Sequence, residues 1–259
     1  MIGEPRKPLS GLWKGMSQKV GGLLAGFHRE CPVCRSSSSG ASNPLGLCAS
    51  CFGKIPWITE IHCDTCGRYE TCPDCRRRRD TAFTRNRSAV RYDPVMKQWL
   101  ALFKYRGDER LLQLFADMLV LAYRKHGEHA ELQGGGFDLL TYVPLSEQRL
   151  LERGFNQAEQ LALRLGHKTG VRVLPLLTRT RHTPKQSFQK RAERLSNLEG
   201  AFDVDSSLLE KLTSAAGSGN RLRIAIVDDV YTTGTTLQHC SSLLARHVQA
   251  SFYGITWAR

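Results

Sequence analysis

Two sets of residues in this sequence are spaced to do chemistry. The first is cysteine: eight of nine fall in CxxC pairs, Cys31/Cys34, Cys48/Cys51, Cys63/Cys66 and Cys72/Cys75. A CxxC turn puts two sulfurs on one side of a tight loop, and two such turns close a tetrahedral four-thiolate zinc site with no open position. Such a site is structural, not catalytic. Gaps of 13, 11 and 5 residues separate the pairs. Sequential pairing gives Cys31, Cys34, Cys48, Cys51 and then Cys63, Cys66, Cys72, Cys75. The five-residue gap is short for two facing knuckles, so a crossed arrangement and a single occupied site stay open. Disulfides fit poorly with a chain that shows no secretion signal, and a redox CxxC usually comes once, in a thioredoxin-like setting.

The second set is the stretch IAIVDDVYTTGTT, residues 224–236. An apolar run ends in two adjacent acids, Asp228 and Asp229, and a loop of small hydroxyl residues follows. Ligands of parallel sheets gather at the carboxyl ends of strands. Two acids there can accept hydrogen bonds from vicinal ribose hydroxyls. Thr232, Thr233, Gly234, Thr235 and Thr236, leading into a helix N-terminus, suit a phosphate. Together they describe a site for a ribose 5-phosphate. The competing reading is an Asp-rich turn with threonine helix caps. The Walker pattern GxxxxGK[ST] is absent.

The elements that must hold these residues are legible in part. Val95, Met96, Trp99, Leu100 and Phe103 repeat at helical spacing, as do Leu111, Leu112, Phe115, Met118, Leu119 and Ala122. Ala158, Leu161, Ala162 and Leu165 mark another helix, and Leu237, Cys240, Leu244 and Val248 a fourth. Strands are expected at 137–145, 171–177 (weakened by Pro175), 223–229 and 252–258. Strands separated by helices predict an α/β domain, a largely parallel sheet with helices on both faces. Residues 76–87, RRRRDTAFTRNR, read as a basic linker. The organisation expected is a basic tail at 1–27, a zinc module at 28–80 and the α/β domain at 81–259. Cys240, on an apolar helix face, reads as a small buried residue.

The chain has 259 residues and a formal net charge of +13, which favours polyanionic partners, nucleic acid or phosphorylated small molecules. Eight thiolates holding two zinc ions would lower the effective charge to about +9. Residues 1–92 hold 15 Lys/Arg against 7 Asp/Glu, and residues 93–259 hold 22 against 17, so the basic excess is densest in front. No apolar stretch is long enough to span a bilayer, and the expected location is the cytoplasm.

The stretch VDDVYTTGTT resembles the PRPP-binding motif of type I phosphoribosyltransferases, PRPP being 5-phosphoribosyl 1-pyrophosphate. FKYRGD (103–108), YVPLSEQRLLERGFNQAEQLA (142–162) and QSFQKRAERLSNLEGAF (186–202) resemble segments of the ComF competence-protein family. That family is known for a cysteine-rich zinc module in front of a phosphoribosyltransferase-like domain. The likeness spans about residues 30–259. It implies that Asp228 and Asp229 hold ribose hydroxyls and that the Thr232–Thr236 loop holds the 5-phosphate. It also implies a Mg2+ ion bridging ribose and pyrophosphate. Pyrophosphate needs donors after another strand, where Arg149, Arg153, Asn156 and Gln157 lie; each arginine reads equally as a solvated helix charge. Residues 178–197, with Lys185, Gln186, Lys190, Arg191 and Arg194, read as a hood over the site. VYTTGTT lacks the acid that purine-type enzymes carry there, which points away from ordinary nucleobase acceptors.

Three functions compete: a phosphoribosyltransferase of unidentified acceptor, a single-stranded DNA-handling protein using the fold as sensor or scaffold, and an adaptor docking competence-machinery proteins through its zinc module.

Overall fold

A computed structural model of the chain describes residues 29–38, 43–77, 80–106, 108–128, 136–180, 200–216 and 221–259. The tail expected at 1–27 and the hood residues Lys185, Gln186, Lys190, Arg191 and Arg194 lie outside the described residues. The chain divides into two compact units, Met1–Lys54 and Ile55–Arg259.

The first unit is built on two turns. Strands β1 (Arg29–Glu30) and β2 (Ser37–Ser38) pair antiparallel around the first CxxC. There the Arg35 N–H donates to the Cys31 carbonyl at 2.9 Å and the Cys31 N–H to the Ser36 carbonyl at 3.0 Å. Arg35 takes φ 61°, in the left-handed region. Helix α1 (Ala49–Gly53) carries the second pair, with Cys48 as its N-cap. The buried apolar side chains described in this unit are Cys31, Leu45, Leu47 and Cys51. So small a core needs a metal to supply folding energy.

The first helix of the second unit is α2 (Pro73–Arg77), which holds Cys75, with Cys72 just before its start. Strand β3 (Arg85–Val90) follows, then helices α3 (Pro94–Arg106) and α4 (Glu109–His126) and strand β4 (Leu139–Tyr142). Helices α5 (Glu147–Arg153) and α6 (Gln157–Thr169) come next. A small antiparallel pair, β5 (Leu177–Arg179) with β6 (Phe202–Val204), precedes helix α7 (Ser206–Ala216). Strand β7 (Leu222–Val230), helix α8 (Thr235–Leu244) and strand β8 (Ala250–Ala258) complete the order.

Four strands form one sheet in the order β3-β8-β7-β4, every pair parallel. The two central strands are the most apolar because both faces are covered. On one face Trp257 of β8 stacks on Phe115 of α4 at 4.0 Å. Residues one step along a strand point to the other face. Thr256 accordingly faces a cleft that it lines with Leu237 of α8. The α/β architecture expected from the sequence is present, with helices flanking a parallel sheet. Among the described residues no helix is long and apolar enough to cross a membrane.

Two expectations need correcting. Residues 85–87, read as the end of a basic linker, are strand, and all of β3 is buried. Asn86, Arg87 and Ser88 are held there by hydrogen bonds. Arg87 donates to the Asp64 carbonyl at 2.6 Å and pairs with the Asp64 carboxylate at 2.5 Å, while Asn86 donates to Ser88 Oγ at 3.1 Å. Of the strand expected at 171–177, Val173 forms one bridge with Leu140 and Leu177 begins β5. Pro175 has no N–H to continue the ladder, and the chain turns away into β5.

Candidate functional site

The carboxyl end of β7 meets the start of α8 at a small cleft. Asp228, Tyr231, Thr232, Gly234 and Thr236 line it, with Thr256 across the β7–β8 register from Asp228. Strand alternation separates the two acids. Ile226, Asp228 and Val230 share the cleft face, whereas Asp229 forms an ion pair with Lys104 of α3. The Asp229 N–H donates to Asp228 Oδ1 at 2.8 Å, which fixes the Asp228 carboxylate. Burial and the neighbouring Asp229 charge push the Asp228 carboxyl up, to about 7.

Gly234 is the N-cap of α8, at φ 76° and without a side-chain cap bond. Its left-handed backbone is one that glycine adopts without penalty. The Tyr231 side chain also occupies the space that a Cβ on Gly234 would need. The N-cap residue of α8 therefore offers no side-chain acceptor to the first N–H groups of the helix, which start beside a carboxylate. Thr233 and Thr235 bond each other at 2.8 Å through their hydroxyls, and Thr235 is buried. Only Thr232 and Thr236 of the four threonines line the cleft.

The expected pyrophosphate residues lie on α5 and the start of α6. Asn156 is buried as the N-cap of α6, accepting from the Ala158 N–H at 3.0 Å and donating to the Val143 carbonyl at 3.1 Å. Gln157 is buried too and accepts from Arg153 Nη1 at 2.6 Å. Asn156 and Gln157 thus brace the segment that presents Arg153. Arg149 is half-buried on α5. Two cations not named individually from the sequence stand near the acids, Arg179 lying in the 178–197 stretch read as a hood. Lys104 pairs with Asp229, and Arg179 of β5 sits over the Phe202 ring at 5.1 Å, within electrostatic reach of Asp228 and Arg149. Burial lowers the Arg179 guanidinium, and Asp228 opposes that shift. Lys104 lies in the FKYRGD segment, which was its one available signal. Cys240 is fully buried, as its apolar helix face predicts.

The eight paired cysteines are free thiols gathered in two groups, Cys31/Cys34/Cys48/Cys51 and Cys63/Cys66/Cys72/Cys75. Within each group the sulfurs lie within 4.8 Å of one another. Pairing is sequential, so the crossed arrangement is excluded. Four sulfurs at Zn–S distances of about 2.3 Å stand about 3.8 Å apart in a tetrahedron. Cys34 and Cys48 are 3.7 Å apart, and Cys66 and Cys72 are 3.5 Å apart. The Cys51 and Cys75 N–H groups point at the Cys48 and Cys72 sulfurs at 3.4 and 3.5 Å, donors suited to thiolates. The donor sets fit two structural zinc ions.

Similarity to known proteins runs along most of the chain. It is 32% identical to the competence protein ComFC of Bacillus subtilis over 91% of this chain and 96% of that protein. It is 28% identical to competence protein F of Haemophilus influenzae over 85% of this chain and 92% of that protein. The DNA utilization protein YhgH of Escherichia coli K12 is 26% identical over the same shares. No protein-family model matches the sequence.

Proposed function

The chain belongs to the ComF family of competence proteins, and from that premise we propose that it acts on incoming DNA through a domain that binds PRPP with Mg2+. One observation carries the ligand reading: a helix N-terminus without a side-chain cap, at Gly234, opens into the same cleft as Asp228. Backbone N–H groups, the Thr232 and Thr236 hydroxyls and the helix dipole suit the 5-phosphate. Asp228 suits the ribose hydroxyls from the cleft face, while Asp229 on the other face of the strand end holds Lys104 and, through its N–H, the Asp228 carboxylate. Arg149 and Arg153 would take pyrophosphate, assisted by Arg179. Mg2+ would neutralise pyrophosphate charge, held mainly by ligand oxygens and water. The residues of this chain would orient the ribose and stabilise departing charge, work that needs no side-chain nucleophile. Zinc in both clusters would be structural.

Calorimetric titration of PRPP and Mg2+ tests the reading, beside a double variant Asp228→Asn, Asp229→Asn. Binding to the native chain that disappears in a still-folded variant is the expected result. A flat titration of the native chain would reject it.

A second reading, single-stranded DNA binding, is favoured by the net charge of +13 and by relatives named for competence and DNA utilization. It predicts affinity that falls steeply with salt; no binding at low salt would remove it. Competence-machinery proteins are compatible partners of either reading.

A further inference from the structure

One zinc ligand is tied to the cleft by two short chains. The Cys66 carbonyl accepts from Arg259 Nη1 at 3.0 Å and from Asn86 Nδ2 at 3.3 Å. The Arg259 guanidinium lies over the Tyr231 ring, 4.6 Å from its centroid. Tyr231 packs beneath Gly234, filling the space of the missing Cβ. Asn86 bonds Ser88 Oγ at 3.1 Å and Thr256 Oγ1 at 3.4 Å, and the Ser88 and Thr256 hydroxyls bond each other at 2.6 Å. Thr256 lines the cleft opposite Asp228. Asn86, Ser88 and Thr256 are all buried. In such a network no member shifts without stranding a polar atom away from water.

We propose that the second cysteine cluster positions the ribose-phosphate cleft, with Arg259 and Asn86 as positioning residues acting from the Cys66 carbonyl. The inference rests on the PRPP reading of that cleft. Zinc fixes the Cys63–Gly67 turn and with it the carbonyl of Cys66. Without the ion the turn loosens, Arg259 loses its anchor, and Tyr231 no longer holds the backbone of Gly234. Thr256 loses its fixed hydroxyl orientation by the parallel route. Coupling of this kind is reciprocal: a ligand that needs the ordered loop must also tighten the hold on the metal.

The test follows zinc leaving the zinc-loaded full chain for a colorimetric chelator, with and without PRPP and Mg2+. At equilibrium, one of the two zinc ions should need about fivefold or more chelator for its removal with ligand present, the low end of usual coupling factors. Arg259→Met should keep both zinc ions, lose that protection and weaken PRPP affinity about tenfold. Arg259→Lys, which keeps a cation and a donor, should restore part of the protection; a purely structural role would give no ligand-dependent zinc release to restore. Amide exchange at residues 231–236, read without ligand, should rise in Arg259→Met. PRPP binding with zinc release indifferent to it would overturn the coupling and leave the PRPP reading standing. If PRPP does not bind the native chain, that reading falls and the exchange measurement alone decides: unchanged exchange overturns the coupling.

Discussion

The two cysteine clusters share the CxxC grammar and four thiols each, and they are embedded differently. The first is held by its own turns, with Leu45 and Leu47 as its buried aliphatic neighbours in the Met1–Lys54 unit. The second is built into the edge of a sheet. Arg87 grips Asp64, Asn86 and Arg259 grip the Cys66 carbonyl, and the Asn86 N–H donates to the Thr65 carbonyl at 2.7 Å. A metal in the first site stabilises a local loop system. A metal in the second stabilises the wall of a cleft. Equal ligand sets thus carry unequal structural consequences, and what differs is what the carbonyls and flanking residues touch.

The largest effect that would separate the clusters comes from the ligands themselves. Structural zinc contributes about 10–16 kcal/mol of apparent binding energy in small domains. Cys66→Ser should therefore abolish the cooperative unfolding transition of the sheet. Cys34→Ser should lose one of two zinc ions and keep that transition. Calorimetry with zinc analysis reads both, and equal damage from the two variants would break the comparison. A smaller test uses the residue after each leading pair. Gly67 has φ 72°, and a Cβ there would lie 2.6 Å from the Asn86 carbonyl oxygen. Left-handed strain plus a backbone clash should make Gly67→Ala cost about 3 kcal/mol in urea unfolding.

Acidity gives a third probe, confined to the second unit. A carboxyl raised on folding adds stability that is fully present below its unfolded pKa of about 3.9. That stability is lost as pH rises through the folded value, about 7 for Asp228. Asp228→Asn should therefore match the native protein near pH 4 and exceed it above pH 7. Access of cleft water should limit the gain to about 2 kcal/mol. A constant difference between pH 5 and 8 would contradict the raised carboxyl of this half-buried acid. The smallest effect is expected at Arg35, the first cluster's counterpart of Gly67, with φ 61°. Arg35→Gly should change stability by no more than about 1 kcal/mol, since relief of left-handed strain offsets lost side-chain contacts.

Strand β7 was readable because four apolar residues run into two acids, and the parallel α/β class followed from helical and strand periods in alternation. The separation of Asp228 from Asp229 was also written in the sequence, in the two-residue period of a strand, though adjacency invites reading them as a pair. Strand β3 was hidden because Arg85, Asn86, Arg87 and Ser88 look like linker. Their burial depends on Asp64, Thr65 and Cys66, partners that no local pattern reveals. Arg179 and Lys104 reach the site from elements distant in sequence, so only the fold assembles them around the acids. The cysteine pairing is hidden for the same reason, since only the fold decides which CxxC turns face each other.

Residues 56–66 have one more consequence. Trp57 bridges Val90, and the Ile58 and Arg91 N–H groups bond across to Ala89 and Pro56. This segment, stitched down next to the second cluster, occupies the open side of β3 that would otherwise present bare N–H and C=O groups to other molecules. Stripping the metal would do more than soften one chain. It would uncover a template for strand addition between chains, so chelated protein should associate in a concentration-dependent way that restored zinc suppresses.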